Sequence, residues 1–281
     1  MLSFLTVFMM PVFAHLFKVW SWYTDFMMRC VALFLYSLLI SNAAVAAEPT
    51  PERTVRVDYV IDGDTFTTKS GETVRLLAIN TPEKRGRDNK PEPFAMAATD
   101  ALKNLIAKQE VTLKFDNNPK DRYGRTLAHV YLPRDQWVNE AMLASGLAHV
   151  YSFPDNQSHL NHLLTIEAQA RQAEKGLWAD PRWAVKNAHT AFTKNQIGQF
   201  HLVGGTVRDV AQVKGTVYLN FGEDWRTDFT AEIPADAQAY FDLVDFEKHF
   251  HGKEVLVRGR LKPVNGVLIS VSHPAQIQVL K

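Results

Sequence analysis

The sequence predicts an α+β protein, mainly β, in which a mixed unit is followed by a smaller β-rich unit. Between residues 53 and 183, segments rich in β-branched residues come first, and apolar residues at helical spacing lie between and after them. That order is typical of an α+β unit with an antiparallel sheet. In residues 200–281, five short strand patterns and one helix pattern follow one another, as in a small, OB-like β-barrel.

Four strand patterns predict the sheet of the first unit. Arg53–Ile61 and Glu72–Ile79 are rich in β-branched residues, and Lys69–Gly71 between them is a turn signal. Val111–Phe115 and Thr126–Leu132 have the same character.

Three helix patterns accompany these strands. Pro91–Lys108 places apolar residues three and four positions apart, and Trp137–Leu147 is a shorter pattern of the same kind. Asp155 or Asn156 is a candidate cap for a third helix that ends near Gly176. The first unit is therefore expected to contain three helices.

The second unit is dominated by strand patterns. Its one helix is expected over Ala235–Phe250. The strands are expected at Leu202–Val207, Thr216–Phe221, Thr227–Ile233, Glu254–Leu261 and Val267–Val279. Residues 184–199 are polar and are expected to link the units, which gives domains at 53–183 and 200–281.

Residues 1–47 are expected to be a signal peptide. Arg29 precedes the apolar run Val31–Ile40, and small residues follow, including Ala44-Val45-Ala46. A basic residue, a short apolar run and an A-x-A site form the pattern of a secretory signal. An uncleaved membrane anchor is the alternative, but the run is shorter than the roughly 20 residues that span a bilayer.

Export has consequences for the mature chain. Met27 or Met28 is an alternative start, and either start retains the expected signal. Cys30 is the only cysteine, so cleavage would leave a cysteine-free protein, which suits an oxidising compartment. The expected location is the periplasm or the medium, with no stable membrane span after cleavage and no obligate protein partner.

Charge excludes two functional classes. The chain has 31 Lys and Arg residues against 30 Asp and Glu residues, a net charge of +1. This balance argues against a strongly basic nucleic-acid coat protein and against an acidic, solvating chain.

Oxygen-bearing side chains follow two strand ends. Asp64 lies in the turn Ile61–Thr65 (IDGDT), and Asn80-Thr81-Pro82-Glu83 follows the strand that carries Arg75. Pro82 ends that strand, so the two turns can meet at one edge of the sheet. The Asp64 and Glu83 carboxylates, the Asn80 amide oxygen and the Thr81 backbone or hydroxyl are hard oxygens. Such donors suit Ca²⁺ or Mg²⁺ better than zinc.

Arg75 and Arg125 add a pattern suited to phosphodiester hydrolysis. Asp121–Arg125 is a turn that places Arg125 at the start of a strand. Guanidinium groups bind phosphate oxygens with two parallel donors, a cation polarises the phosphate, and a carboxylate such as Glu83 can accept a proton from water. Taken singly, Arg75 could instead be a structural ion-pair partner of Asp62 or Asp64, and Arg125 could pair with Asp121.

Three motifs, in this order, resemble the staphylococcal nuclease (thermonuclease) family: IDGDT at 61–65, VRLLAINTPE at 74–83 and DRYGRTLAHVY at 121–131. VNEAMLASGLAHV at 138–150 and EAQARQAEKGLW at 167–178 extend the resemblance, which covers roughly residues 53–183. It implies an OB-type five-stranded barrel with three helices. It also implies a Ca²⁺-dependent endonuclease that cleaves DNA, RNA or both.

The resemblance also implies roles for single residues. Arg75 and Arg125 match the two phosphate-binding arginines, and Glu83 matches the carboxylate that engages the attacking water. Arg122 and Tyr123 fall where the family contacts a nucleotide phosphate.

The metal ligands match with one departure. Asp64 matches a metal-binding aspartate, and Thr81 matches the residue whose backbone carbonyl binds the metal. Asn80 stands where the family has a second metal-binding aspartate. Asparagine keeps an oxygen donor but lacks the negative charge, so we expect weaker Ca²⁺ binding or a shift towards Mg²⁺ or Mn²⁺.

The same residues are also compatible with a second function. A nuclease-like fold with weak or no catalysis would act as a nucleic-acid or protein-binding module. Because Asp64, Arg75, Glu83 and Arg125 are all present, the catalytic interpretation is favoured.

Overall fold

The computed structural model describes residues 51–86 and 89–280. The expected signal peptide at residues 1–47, with the alternative starts Met27 and Met28, lies outside these residues. Within the described ranges, no helix combines the length and the apolar character that crossing a membrane requires.

A closed five-stranded barrel forms the first part of the structure. Strands β1, β2, β3, β5 and β6 pair antiparallel in the order β3-β2-β1-β5-β6, and parallel pairing of β3 with β6 closes the ring. The barrel and the three helices that the resemblance implied are confirmed. In chain order the elements are β1 (Glu52–Val60), β2 (Thr65–Thr68), β3 (Thr73–Leu76), β4 (Ile79–Asn80), α1 (Ala95–Ile106), β5 (Glu110–Lys114), β6 (Thr126–Leu132), β7 (Gln136–Trp137), α2 (Val138–Ala144), β8 (His149–Val150) and α3 (Leu160–Gln172).

The residues of the barrel core are set by the side-chain periodicity of the strands and by that of helix α1. Alternate residues of each strand point inward, and every fourth residue of α1 lies on the face that covers the barrel. Burying one such apolar side chain contributes about 1.5–3 kcal/mol. The inward residues, each at most 1% exposed, are Val57, Phe66, Val74, Leu113 and Val130 from the strands and Ala98, Leu102 and Ile106 from α1.

Local geometry changes three expected elements of this part. The strand expected over Glu72–Ile79 is divided, because Ala78 has a positive φ of 63° and β4 pairs with β8 instead. Strand β2 was not expected from the sequence. The third helix begins only at Leu160, because His159 before it is left-handed (φ 62°).

Residues 186–280, which we call the C-terminal β region, contain two four-stranded sheets. Their strand orders are β16-β14-β10-β9 and β11-β12-β13-β15, and their apolar faces share one core. The elements are β9 (Lys186–Asn187), β10 (Phe200–Thr206), β11 (Asp209–Val213), β12 (Thr216–Asn220), β13 (Phe229–Ile233), α4 (Phe246–Phe250), β14 (Glu254–Arg260), β15 (Val267–Ser270) and β16 (Ile277–Val279).

Here, too, the structure differs from the sequence expectation in identifiable places. Residues 184–199 include β9, which pairs in parallel with β10. The helix expected over Ala235–Phe250 is reduced to α4, since the Asp245 side chain caps that helix by accepting a hydrogen bond from the Lys248 N–H. Pro274 opens a 3₁₀ turn that divides the strand expected over Val267–Val279.

The C-terminal β region packs directly on the last helix of the barrel. Ala170 of α3 and the following Leu177 and Trp178 form one buried apolar cluster with Leu202 of β10 and Leu256 of β14. The two parts therefore share a hydrophobic contact in addition to having a core each.

Candidate active site

The turn that carries Asp64 is closed by its own backbone. The Ile61 N–H donates to the Thr65 carbonyl at 2.9 Å, and the Asp64 N–H donates to the Asp62 carboxylate at 3.2 Å. Gly63 is required because a Cβ there would lie 2.6 Å from the Cβ of Ala98 in α1. The turn is therefore held tightly against helix α1, which fixes the direction of Asp64.

Asp64 joins this turn to the segment that follows β4. Its Oδ2 accepts hydrogen bonds from the Thr81 N–H at 2.9 Å and from the Thr81 hydroxyl at 3.1 Å. The same oxygen lies 3.0 Å from a guanidinium nitrogen of Arg75, and both side chains are at most 10% exposed. The two turns expected to meet at one edge of the sheet do so.

Asn80 is part of the same network. Its amide oxygen accepts from Arg75 Nη2 at 2.9 Å, and its amide nitrogen donates to the Thr81 carbonyl at 3.0 Å. Arg75 thus bridges Asp64 and Asn80 while its other terminal nitrogen donates to the Leu76 carbonyl at 2.7 Å.

Glu83 lies beside this network with a perturbed carboxyl group. Partial removal from water and then the negative charges of Asp64 and Asp62 raise its pKa above the ordinary value of 4.5, and Arg75 opposes that rise. Burial and the Asp64 charge also raise the pKa of Asp62. The charges of Asp62, Asp64 and Glu92 thus all raise the pKa of Glu83, while Arg75 lowers it, an arrangement that favours added positive charge.

The oxygen atoms of this network are of the type that binds a hard divalent cation. Among the described residues, no three His, Cys, Asp or Glu side chains converge as a ready metal site. A cation here would therefore depend on the Asn80 amide oxygen and the Thr81 carbonyl together with the Asp64 carboxylate. All three are oxygen donors of the type that Ca²⁺ and Mg²⁺ use.

The backbone of Arg125 lies close to the sheet edge that carries Asp64 and Asn80. It directly precedes β6, in which Leu127 lies opposite Arg75 of β3. Its side chain, however, is held by Asp121, whose carboxylate accepts from Arg125 Nε at 2.7 Å. Within the described residues, no hydrogen bond or ion pair joins Arg125 to Asp64 or Glu83.

Arg122 and Tyr123 occupy the same turn as Arg125. The Tyr123 ring is 69% exposed, and the guanidinium carbons of Arg122 and Arg125 lie 4.8 and 5.5 Å from its centroid. Tyr123, Arg125 and Lys120 line an open cleft of about 550 Å³. The structure thus forms a cationic turn around an exposed aromatic ring, on a different cleft from that of Glu83.

A second cleft, of about 230 Å³, opens beside Asn80 and Glu83. Its walls include groups that the sequence analysis did not single out for function, since no local motif marks them. They are His149 of β8, Trp183, and Phe200 and Arg260 of the C-terminal β region. Only the pairing of β8 with β4 and the packing of β10 and β14 bring them to this place.

Sequence comparison places the barrel part of the chain in a known family. The family model described as staphylococcal nuclease homologue matches residues 73–180. The thermonuclease of Staphylococcus hyicus is 33% identical over 132 residues, which are 46% of this chain and 78% of that protein. The thermonuclease of Staphylococcus intermedius is 35% identical over 125 residues, 43% of this chain and 74% of that protein.

A relative outside that genus gives the same picture. An uncharacterised endonuclease of Escherichia coli is 35% identical over 136 residues, 46% of this chain and 81% of that protein. The resemblance seen in the three motifs is confirmed, and the chain belongs to the staphylococcal nuclease family.

Proposed function

We propose that this protein is an exported, metal-dependent endonuclease that hydrolyses phosphodiester bonds of DNA, RNA or both. The observation that supports it most directly is the hydrogen-bonded cluster of Asp64, Arg75, Asn80 and Thr81 with Glu83 beside it. The relatives support it further, since they are named thermonucleases and endonucleases.

Glu83 is the group proposed to accept the proton of the attacking water. The water oxygen forms a bond to phosphorus while the bond from phosphorus to the leaving sugar oxygen breaks, and that oxygen takes up a proton. A raised pKa places the Glu83 carboxylate nearer to neutrality, where a general base is more effective.

The two arginines are proposed to bind the phosphate as its negative charge grows. Arg75 is already ordered at the site by Asp64 and Asn80. Arg125 would have to leave Asp121 to reach the same phosphate, and its half-exposed position permits that exchange. Planar guanidinium groups match two phosphate oxygens at once, which an ammonium group does not. Arg122 and Tyr123 are proposed to bind the substrate strand beside them.

Asp64, Asn80 and Thr81 are proposed to hold the cation, with Ca²⁺ as the first candidate and Mg²⁺ or Mn²⁺ as alternatives. When bound, the cation would supply positive charge next to the phosphate oxygens. The Thr81 carbonyl accepts one hydrogen bond from the Asn80 amide nitrogen, and its second lone pair would remain for the cation.

A catalytically weak binding module is the second candidate function. The observations that favour it are the missing charge at Asn80 and the Arg125 side chain held by Asp121. In that case the same surface would bind nucleic acid without cleaving it.

Plasmid nicking by the chain from residue 48 separates the two candidates. It is measured with Ca²⁺, Mg²⁺, Mn²⁺ or a chelator, and cleavage should require one of the metals. Glu83→Gln should lower kcat by about 10²- to 10⁴-fold, the usual contribution of a general base. Glu110→Gln, which alters an exposed carboxylate at the start of β5, serves as the matched control. Cleavage that survives Glu83→Gln contradicts the assigned base, and binding without cleavage under every metal condition supports the module.

A further inference from the structure

The cleft beside Asn80 and Glu83 is built by two parts of the chain. Asn80, Glu83 and His149 come from the barrel, whereas Phe200 and Arg260 come from the C-terminal β region. The family match ends at residue 180, so the second wall lies outside the family's part of the sequence. A volume of about 230 Å³ is below the roughly 300 Å³ of pockets for drug-sized ligands, and it suits one flat ring system.

The cleft has an aromatic wall with a fixed position. The rings of His149 and Phe200 stack with centroids 4.0 Å apart and an interplanar angle of 21°, and Trp183 lies 5.3 Å from His149. His149 pairs with Asn80 across strands β8 and β4. The aromatic wall is therefore tied by backbone hydrogen bonds to the strand that carries the candidate metal ligand.

Two of the rings in this wall, those of Trp183 and Phe200, carry no titratable group. Phe200 is half-buried and contributes its accessible part to the cleft. Flat, uncharged aromatic surfaces of this kind stack with nucleobases whatever their sequence.

Arg260 provides positive charge at the same wall. It lies directly opposite Phe200 across β10 and β14, and it is exposed. One of its terminal nitrogens donates to the Gly198 carbonyl at 3.0 Å. Within the described residues no carboxylate lies within ion-pair distance of it, unlike Arg258, which pairs with Glu167. The remaining donors of Arg260 are thus available to an anion such as a phosphate.

We propose that this cleft is a nucleotide subsite: it binds the base next to the scissile phosphate against Phe200 and Trp183, and the adjoining phosphate through Arg260. The inference rests on the proposed nuclease function, because it takes Glu83 and Asn80 as the place of cleavage. It makes the C-terminal β region part of the substrate-binding surface.

Steady-state kinetics on a short single-stranded oligothymidylate test the subsite. Phe200→Leu keeps an apolar side chain but removes the ring, and Arg260→Ala removes an exposed side chain. Each should raise KM about tenfold, within the range for losing one stacked base or phosphate contact, and leave kcat within about twofold. The matched control is Trp225→Leu with Arg226→Ala, an aromatic–arginine pair of the same region that does not line the cleft, with the guanidinium 4.9 Å from the ring. The control should keep the wild-type KM.

Binding without turnover separates this inference from the proposed function. Fluorescence anisotropy of the labelled oligothymidylate is measured with excess chelator, and Arg260→Ala should weaken binding about tenfold. If the wild-type protein binds the oligothymidylate and Arg260→Ala weakens that binding, but no cleavage occurs with any metal, the cleft stands as a nucleotide-binding site and the nuclease proposal falls. If the protein cleaves but neither variant changes KM or affinity, the subsite is overturned. Equal losses in the control pair also overturn it, since they indicate nonspecific attraction, and Arg260→Ala decides the matter if Phe200→Leu fails to fold.

Discussion

The carboxylate of Glu167 in α3 accepts a hydrogen bond from the guanidinium group of Arg258 in β14 at 3.0 Å, and both side chains are almost wholly buried. The same carboxylate accepts from the Val150 N–H of β8 at 2.6 Å. Burial acts to raise the pKa of Glu167, but the charge and hydrogen bond of Arg258 and the Val150 N–H hold it below its ordinary value. Arg258 of the C-terminal β region, together with Arg171 of α3 at 3.4 Å, thus neutralises the buried Glu167 carboxylate next to β8.

Breaking that pair should destabilise the whole chain. Arg258→Met removes the buried guanidinium group from Glu167 and leaves Arg171 of α3, at 3.4 Å, as its remaining ion-pair partner. The free energy of unfolding should therefore fall by about 3 kcal/mol, the lower end of the cost of breaking a buried ion pair. Urea unfolding measures this loss, and adding Glu167→Gln should recover much of it because Gln is neutral and still accepts from Val150. Arg208→Met, which removes an exposed ion pair with Glu223, should cost less than about 1 kcal/mol. An Arg258→Met protein as stable as the wild type would contradict this account.

Stability should fall steeply in mild acid. Burial lowers the pKa values of His129, His149 and His201 to about 4, whereas unfolded histidine titrates near 6.5. As the pH falls from 6.5 towards 4, the unfolded state therefore takes up three protons that the folded state does not. The free energy of unfolding should drop by up to about 4 kcal/mol per pH unit near pH 5.

Urea unfolding at several pH values between 7 and 5 measures that slope. Both ring nitrogens of His129 are buried without a partner among the described residues, so His129→Leu should reduce the slope by about one third. His189→Leu, at an exposed position, should leave the slope unchanged. A stability that does not depend on pH in this range would show that the three rings are not held neutral.

Asn80→Asp should increase the affinity for Ca²⁺. The substitution adds a negative charge and also removes the hydrogen bond that the Asn80 amide nitrogen donates to the Thr81 carbonyl. Together these changes should lower the Ca²⁺ dissociation constant by at least about tenfold, because ligand charge sets the affinity of such sites. Isothermal titration calorimetry measures it, with Asn161→Asp at an exposed helix position as the control. Equal or weaker affinity would mean that residue 80 is not a ligand.

The acid limb of the pH–activity profile should report Glu83. Its ionised form is the proposed base, so activity is lost as the pH falls through its pKa, which burial and the charges of Asp64 and Asp62 hold above 4.5. Asp62→Asn keeps the acceptor for the Asp64 N–H but removes one charge, and it should move the acid limb of kcat to lower pH. Asp58→Asn, which alters an exposed ion pair with Lys69, should leave the limb in place. If Asp62→Asn does not move the acid limb, the limb reflects the ionisation of a group other than Glu83.

Much of the site was predictable because its signals are local. The Asp-Gly pair at 62–63 indicates a turn, and Pro82 indicates that a strand ends there. Each of these two short segments carries side chains with oxygen donors. The structure brings Asp64 into hydrogen-bond contact with Thr81 and, through Arg75, next to Asn80, while the functional roles of these residues stay predictions. The position of the Arg125 guanidinium was not predictable, because a single long side chain can pair with Asp121 or reach a phosphate without any change in the backbone.

Strand boundaries and helix lengths were predictable only in part. The sequence indicated the apolar faces of β5 and β6, but not β2 or β11, which are short or largely exposed. Asp245 and Pro274 changed the expected elements of the C-terminal β region through hydrogen bonding and ring geometry that a hydrophobic pattern does not register.

Composition and short motifs alone established an α+β chain whose turns resemble those of the nuclease family. They could do so because turn residues and side-chain alternation determine local structure over only a few positions. Tertiary structure alone decided that Arg258 neutralises Glu167 and that Phe200 stacks on His149, since those partners are 91 and 51 positions apart in the sequence. Contacts over such separations depend on how complete sheets pack, and no local pattern of residues specifies that packing.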